Sequence, residues 1–219
     1  MPSVTVENYL KQVYLEQQQV GDDLVPMGRL AAAMDVTPGT ATSMVKALAD
    51  AKLIDYAPRG GVRLTPEGTR LALQVLRRHR LIEQFLVEVL KLDWSEVHDE
   101  AEELEHAISD KVLAKIDELL GHPDTDPHGD PIPPATGTPR ARTLTSLVDA
   151  DEGRPLTIAR VADQDAAFLQ FADRHGLTPG ASVTVTGRDP AADAVTVRPV
   201  GKRNVTLGLA AAAKILTED

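Results

Sequence analysis

Two stretches hold most of the side chains able to do coordination chemistry, RRHRLIEQF beginning at Arg77 and VHDEAEELEHAIS beginning at Val97. In the first, His79 and Glu83 stand four residues apart, which on a helix places both on one face. In the second, His98, Glu102, Glu105 and His106 fall at i, i+4, i+7 and i+8, again one face. Packed together, two such faces bring imidazoles and several carboxylates into one cleft, the way cation sites in helical bundles are built. An acidic helix face is more often simply solvated, and Glu100 and Glu103 are read that way. Catalytic templates fit poorly. There is no HExxH motif, and in Glu102-Glu103-Leu104-Glu105-His106 a Glu stands where the inverted zincin pattern needs His. There is no Gly-x-Ser-x-Gly elbow and no P-loop. The absence of cysteine excludes disulfides, thiolate zinc sites and thiol catalysis.

The elements that must carry these residues follow from periodicity. Residues 6–18 have Val6, Leu10, Val13 and Tyr14 near helical spacing and end before a Gly21-Asp22-Asp23 turn. A short helix over 26–34 presents Met27, Leu30, Ala31 and Met34 on one face. Thr37-Pro38 reads as an N-cap followed by proline at the first helical position, opening a helix to about residue 51. Two β-prone runs, 53–57 and 62–64, joined by Pro58-Arg59-Gly60-Gly61, predict a hairpin with a basic tip. Thr65-Pro66-Glu67 caps a long helix towards residue 90, and a further helix is expected over 94–120. Residues 121–140 are dense in Pro and Gly and read as a linker without regular structure. Beyond it, strand-like runs at 156–161, 182–187, 194–199 and 204–207, with one helix at 165–175, suggest a small barrel.

A short helix, a turn, a second helix and a hairpin make a winged helix-turn-helix, whose second helix meets the major groove with its N-terminal residues. Those residues are Thr37, Pro38, Gly39, Thr40, Thr42, Ser43 and Lys46. Small side chains permit close approach, and hydroxyls can contact phosphates or bases. Pro38 or the threonine methyls can meet thymine methyls. With no Arg, Asn or Gln in the set, phosphate contacts and DNA shape are expected to matter. Arg59 and Arg63 on the wing, with Lys46, are the candidate phosphate neutralisers. A Ser or Thr at a helix start is also commonly just a cap, so the order of elements carries this reading more than any one residue.

The net charge of −10 is unevenly spread: residues 76–130 carry fifteen acidic and six basic side chains, whereas residues 1–75 carry eight and seven. The acidity therefore lies where cations are expected and leaves the first third free to form a locally basic face. Aromatic content of 3% argues against a single-strand binder. The opening MPSVTVENYL lacks a basic stretch followed by an apolar run, and no apolar run approaches bilayer length, so a cytoplasmic protein without a membrane partner is expected.

With these residues in view, the chain resembles the diphtheria-toxin-repressor family of iron- and manganese-dependent regulators. The resemblance rests on ENYLKQVYL, VTPGTATSMVKALADAKLIDY, GVRLTPEG, RRHRLIEQFLVEVL and VHDEAEELEH, and continues through PHGDPIP to LTPGASVTV and VTLGLAAAAKI. It implies a mainly α N-terminal region, with a winged helix-turn-helix over 1–71 and a helical metal-binding and dimerisation domain over 72–121. A linker over 122–142 and a small C-terminal β-barrel, SH3-like and FeoA-like, over 143–219 complete the implied organisation. It implies an ancillary metal site of His79, Glu83 and His98, and a primary, activating site of Glu102, Glu105 and His106. The family completes the primary site from the first helix with Met or Asp; here Asn8 stands at that position, and neighbouring Glu7 is the alternative. Gln164 and Asp165 are the C-terminal candidates for the ancillary site; His128 is read as structural.

Iron-type members often have Cys where Glu102 stands, and a carboxylate there hardens the site towards Mn(II), with Fe(II) the other candidate and two sites per subunit. The implied function is a homodimeric repressor that binds double-stranded operator DNA when metal is bound, takes no small organic substrate and controls metal-homeostasis genes. Candidate dimer contacts are Leu81, Ile82, Phe85, Leu86, Leu90 and Ile108, which could equally be internal core. Two other readings stay open at this point. One is a metal-independent winged-helix regulator with the His/Glu cluster as a solvated face; the other is a metallohydrolase.

Overall fold

The computed structural model describes residues 3–21, 23–139 and 142–218, so Asp22 of the expected turn and the end of the expected linker lie outside it. The chain forms two compact units, residues 1–79 with 133–138 and residues 80–132 with 139–219.

The first unit begins with α1 (Val4–Val20), α2 (Met27–Ala33) and α3 (Pro38–Asp50), followed by the strands β1 (Ile54–Ala57) and β2 (Gly61–Leu64) and the start of α4 (Pro66–Glu88). Local signals set these boundaries. The Ser3 side chain accepts from Val6 N, and Thr37 Oγ1 accepts from Thr40 N with Pro38 in the first turn. Thr65 Oγ1 accepts from Gly68 N at 3.1 Å, which opens α4. The core gathers Leu10 and Val13 of α1, Leu30 of α2, Val45 and Leu48 of α3, and Ile54, Val62 and Leu64 of the hairpin. β1 and β2 pair antiparallel from Ile54↔Leu64 to Ala57↔Gly61. The loop before α2 joins the hairpin, because Val25 and Val62 exchange both backbone bonds at 2.9 Å. Gly61 sits at φ 132, where an added Cβ would meet Val25 O at 2.4 Å, so this crossing requires glycine. Gln17 Oε1 accepts from Leu64 N at 2.9 Å and ties α1 to β2.

The second unit holds the rest of α4, then α5 (Val97–Leu104) and α6 (Asp110–Leu119). The single helix expected over 94–120 is thus two. Ser109 explains the break, since its hydroxyl accepts from Val112 N and caps a new helix. Leu81, Ile82 and Leu86 are internal core, packing with Val97 and Ala101 or with Leu113 and Ile132, whereas Leu90, Leu104, Val112 and Leu119 remain exposed.

The C-terminal part adds β3 (Thr145–Ser146), β4 (Pro155–Val161), α7 (Ala166–His175), β5 (Ser182–Asp189), β6 (Ala194–Pro199), β7 (Val205–Gly208), α8 (Leu209–Ala212) and β8 (Ile215–Glu218). The strands form one antiparallel sheet in the order β3-β8-β4-β5-β6-β7. Among the described residues its end strands do not pair, so the expected barrel is an open sheet, bent by irregularities in β4 and β5. Alternating side chains such as Leu156, Ile158, Val183, Val185, Val195 and Val197 meet Leu169 and Ala172 of α7 in its core.

Residues 124–132 of the expected linker are ordered although irregular. Asp126 Oδ1 accepts from His128 N and Asp130 N, both at 2.9 Å, folding the segment around its own carboxylate. Val161 N donates to His128 O at 2.8 Å, and Gly129, at φ 86, lies so close to Ala159 O that a Cβ would stand 2.0 Å from it.

Candidate metal centre and nucleic-acid interface

α4 runs unbroken through the first ligand stretch, so His79, the last residue of the first unit, stands one helical turn before Glu83 on the same face. Glu83 is 1% exposed. Across from it on α5, His98 Nδ1 lies 3.3 Å from Glu83 Oε1, while His98 Nε2 is 3.9 Å from Glu102 Oε1. α5 stops at Leu104, which corrects the expected continuous face. Glu105 caps the helix, and His106 lies in the turn beyond, its Nε2 3.1 Å from Glu105 Oε1. Glu105 is nonetheless fully buried. The turn keeps these two donors together without helical periodicity.

Sequence reasoning missed Asp126 and set His128 aside as structural. Glu83, Asp126 and His128, all buried, offer ligand atoms within 4.8 Å of one another. A backbone carbonyl orients the His128 ring. Its Nε2 is 2.8 Å from Trp94 O, a carbonyl that can only accept, so Nε2 carries the proton. In the neutral ring Nδ1 then presents a bare lone pair 3.9 Å from Glu83 Oε2, with no hydrogen-bond partner of its own. A histidine whose distal N–H is fixed by a backbone carbonyl is the usual arrangement of a metal ligand. The ring is also stacked on Trp94, centroids 5.4 Å apart.

Charge balance gives a second test of fit. Asp126 and Asp130 lie against two guanidinium groups, and the charge of Glu83 acts on Asp126. Arg80 lies 3.5 Å from Asp126 and 3.1 Å from Asp130, and Arg160 lies 2.8 Å from Asp130. Fully ionised, the carboxylates outnumber these guanidiniums. Burial pushes Asp126 well above the usual carboxylate range, and the nearby charges of Asp130 and Glu83 add to this, with Arg80 offsetting part. Two carboxylates and an imidazole with ligand atoms within 4.8 Å of one another are donors that fit a divalent ion.

The first-helix candidates separate clearly. Glu7 is paired with Arg78 at 3.1 Å, whereas Asn8 Oδ1 is buried with no hydrogen-bond partner. An orphaned buried oxygen costs stability unless something binds it, which favours Asn8 over Glu7 as an oxygen donor. Gln164 and Asp165 are exposed; the Asp165 carboxylate caps α7 by accepting from Phe168 N at 2.8 Å and belongs to none of the candidate ligand groups.

In the first unit, the N-cap Thr37 and Pro38, Gly39, Thr40 and Ser43 of the N-terminal half of α3 are exposed, as is Lys46 one turn past Ser43, with Thr42 half-buried. Arg59 occupies the hairpin tip at φ 66, and Arg63 lies on β2 opposite Asp55. The predicted interface residues therefore reach solvent from one helix and its adjoining wing.

Three family models match: the iron dependent repressor N-terminal DNA binding domain over residues 1–62, the iron dependent repressor metal binding and dimerisation domain over 65–134, and the FeoA domain over 145–219. The iron-dependent repressor IdeR of Mycobacterium leprae (strain TN) is 32% identical, with 93% of this chain and 92% of that protein covered. A manganese-dependent transcriptional repressor solved in complex with manganese is 38% identical, with a TM-score of 0.88 over 97% of this chain and 98% of that one. ScaR with bound Zn2+ is 31% identical, with a TM-score of 0.81 and full coverage of both chains.

Proposed function

Because this chain belongs to the iron-dependent repressor family, which are DNA-binding regulators and not enzymes, we propose that it represses metal-homeostasis genes as a manganese-activated homodimer. The observation that carries the reading is the set of buried carboxylates and imidazoles on α4, α5 and the 126–130 turn, next in sequence to a winged helix-turn-helix. Family membership removes the metallohydrolase, and the buried positions of Glu83, Glu105 and His128 argue against a merely solvated face.

Mn(II) is the proposed activator, with Fe(II) the other candidate, because the donors are oxygen and imidazole without any thiolate. His79, Glu83 and His98 are the proposed ancillary ligands, extended by Asp126 and His128. Glu102, Glu105 and His106, completed by Asn8, are the proposed primary ligands. A bound cation would favour the ionised form of Asp126, which burial disfavours. For metal to switch DNA binding, these donors must hold it more tightly in the DNA-competent conformation, a coupling typically worth about 1–3 kcal/mol.

Thr37, Pro38, Gly39, Thr40, Thr42 and Ser43 are the proposed groove-facing set, with Lys46, Arg59 and Arg63 on phosphates. Dimerisation through the central helices is supported by exposed Leu90, Leu104, Val112 and Leu119. The organisation proposed is a DNA-binding domain over 1–71, a metal and dimer domain over 72–121, a connecting segment over 122–142 and an SH3-like domain over 143–219. A cytoplasmic location fits the described residues, none of whose helices is long and apolar enough to cross a membrane.

The test is equilibrium dialysis of the full chain against Mn(II), with mobility shift on DNA upstream of metal-uptake genes. Two equivalents per protomer and chelator-reversible DNA binding are expected. DNA binding indifferent to chelator would reject the metal switch.

A further inference from the structure

On α3 the hydroxyl protons are largely spent inside the helix. Thr42 Oγ1 donates to Pro38 O at 2.7 Å, and Ser43 Oγ donates to Gly39 O at 3.0 Å. Thr37 Oγ1 and Thr40 Oγ1 lie 2.9 Å apart and share one proton between them, while Thr37 Oγ1 also accepts from Thr40 N. A hydroxyl has one proton and two lone pairs, and bonding back to the carbonyl four residues earlier is a stable habit of Ser and Thr in helices. Of the four hydroxyls, three protons are thereby committed. What the exposed N-terminal half of α3 offers a partner is mostly lone pairs.

The major groove carries both donors and acceptors. Guanine shows N7 and O6, and thymine shows O4, all acceptors; only the adenine 6-amino and cytosine 4-amino groups donate there. We propose that Ser43, whose proton is held by Gly39 O, is a specificity-determining residue that selects an amino-bearing base, adenine or cytosine, in each half-site. Ser43 carries this role because it is exposed while Thr42 is half-buried. Lys46, one turn further on, is the side chain assigned to phosphate and does not supply the missing donor. The proposal rests on the DNA-binding reading and adds to it the chemistry of what is read.

The experiment begins with selection from a random-sequence duplex library by the manganese-loaded full chain. Each amino-bearing base of the selected site is then replaced by its analogue lacking the exocyclic amine, purine for adenine and pyrimidin-2-one for cytosine. At one position per half-site the analogue should weaken wild-type binding about two- to tenfold, the range of one net hydrogen bond. Ser43→Ala should weaken binding to the unmodified site by the same factor, and the two changes together should cost no more than either alone. Additive effects at every position, or a site in which only keto groups respond to Ser43→Ala, would overturn the proposal. Failure of the loaded protein to enrich any sequence would instead bring down the repressor reading on which it stands.

Discussion

Replacing Asp126 by asparagine removes one negative charge from the buried cluster and keeps an oxygen that can accept from His128 N and Asp130 N. Its effect in the metal-free protein depends on opposing terms. With ligand atoms within 4.8 Å of one another, repulsion between ionised Glu83 and Asp126 is at least about 3 kcal/mol at an effective dielectric constant of about 20. Attraction between Arg80 and Asp126 at 3.5 Å is about 5 kcal/mol on the same basis. These largely offset each other, so the further repulsion from Asp130 and the cost of burying the carboxylate decide the sign. Asp126→Asn should therefore stabilise the metal-free protein at neutral pH, by roughly 1–2 kcal/mol, or about 2–8 °C in melting temperature for a chain of this size.

The pH dependence follows from the same shift. A carboxyl raised in the folded state contributes stability that is fully present below its unfolded value and lost as pH rises through its folded value. Wild type should lose metal-free stability over that window, and Asp126→Asn should flatten the slope. With Mn(II) the order reverses, because the ionised carboxylate is then a ligand and the variant binds metal more weakly. Thermal melts followed by the single tryptophan, Trp94, with and without Mn(II) at several pH values, measure all of this. A variant less stable than wild type without metal, yet showing the full Mn(II)-induced rise, would refute the reasoning.

Because Trp94 stacks on His128, Mn(II) should quench its fluorescence, and His128→Gln should abolish the quenching that Asn8→Ala retains; equal quenching in both would place the metal elsewhere. Gly129→Ala forces a Cβ to within 2.0 Å of Ala159 O at a positive φ and should cost about 2–4 kcal/mol in denaturant unfolding. Gln17→Leu removes the acceptor for Leu64 N, a loss of about 1–2 kcal/mol. It should weaken DNA binding several-fold in fluorescence anisotropy while leaving Mn(II) affinity in dialysis unchanged.

Where local chemistry decides structure, the sequence was a sufficient guide. Thr37-Pro38 and Thr65-Pro66 mark helix starts that the structure keeps, and Pro58-Arg59-Gly60-Gly61 marks the hairpin. The break between α5 and α6 was hidden because apolar spacing continues through it, although Ser109 carries a readable capping signal. Asp126 and His128 were obscured by the Pro and Gly around them. Their order comes from partners distant in sequence, Arg80, Trp94 and Val161, which no local pattern reveals. The alternation Asp126-Pro127-His128-Gly129-Asp130 was the available hint, a carboxylate placed to accept from the backbone two and four residues on. The strand β8 was missed for a related reason: four residues, Ile215–Glu218, become a strand only by pairing with β4 and β3.

The central claim is that buried donors on the central helices control DNA binding through a divalent cation. It is tested most directly by DNA-binding isotherms of metal-stripped wild type and of Glu105→Gln and His106→Ala, each titrated with Mn(II), anaerobic Fe(II) and Zn(II). Wild type should gain affinity steeply with Mn(II), whereas both variants should remain folded by circular dichroism and gain none. Variants that still respond fully to metal, or a wild type that binds DNA equally with and without it, would contradict the account.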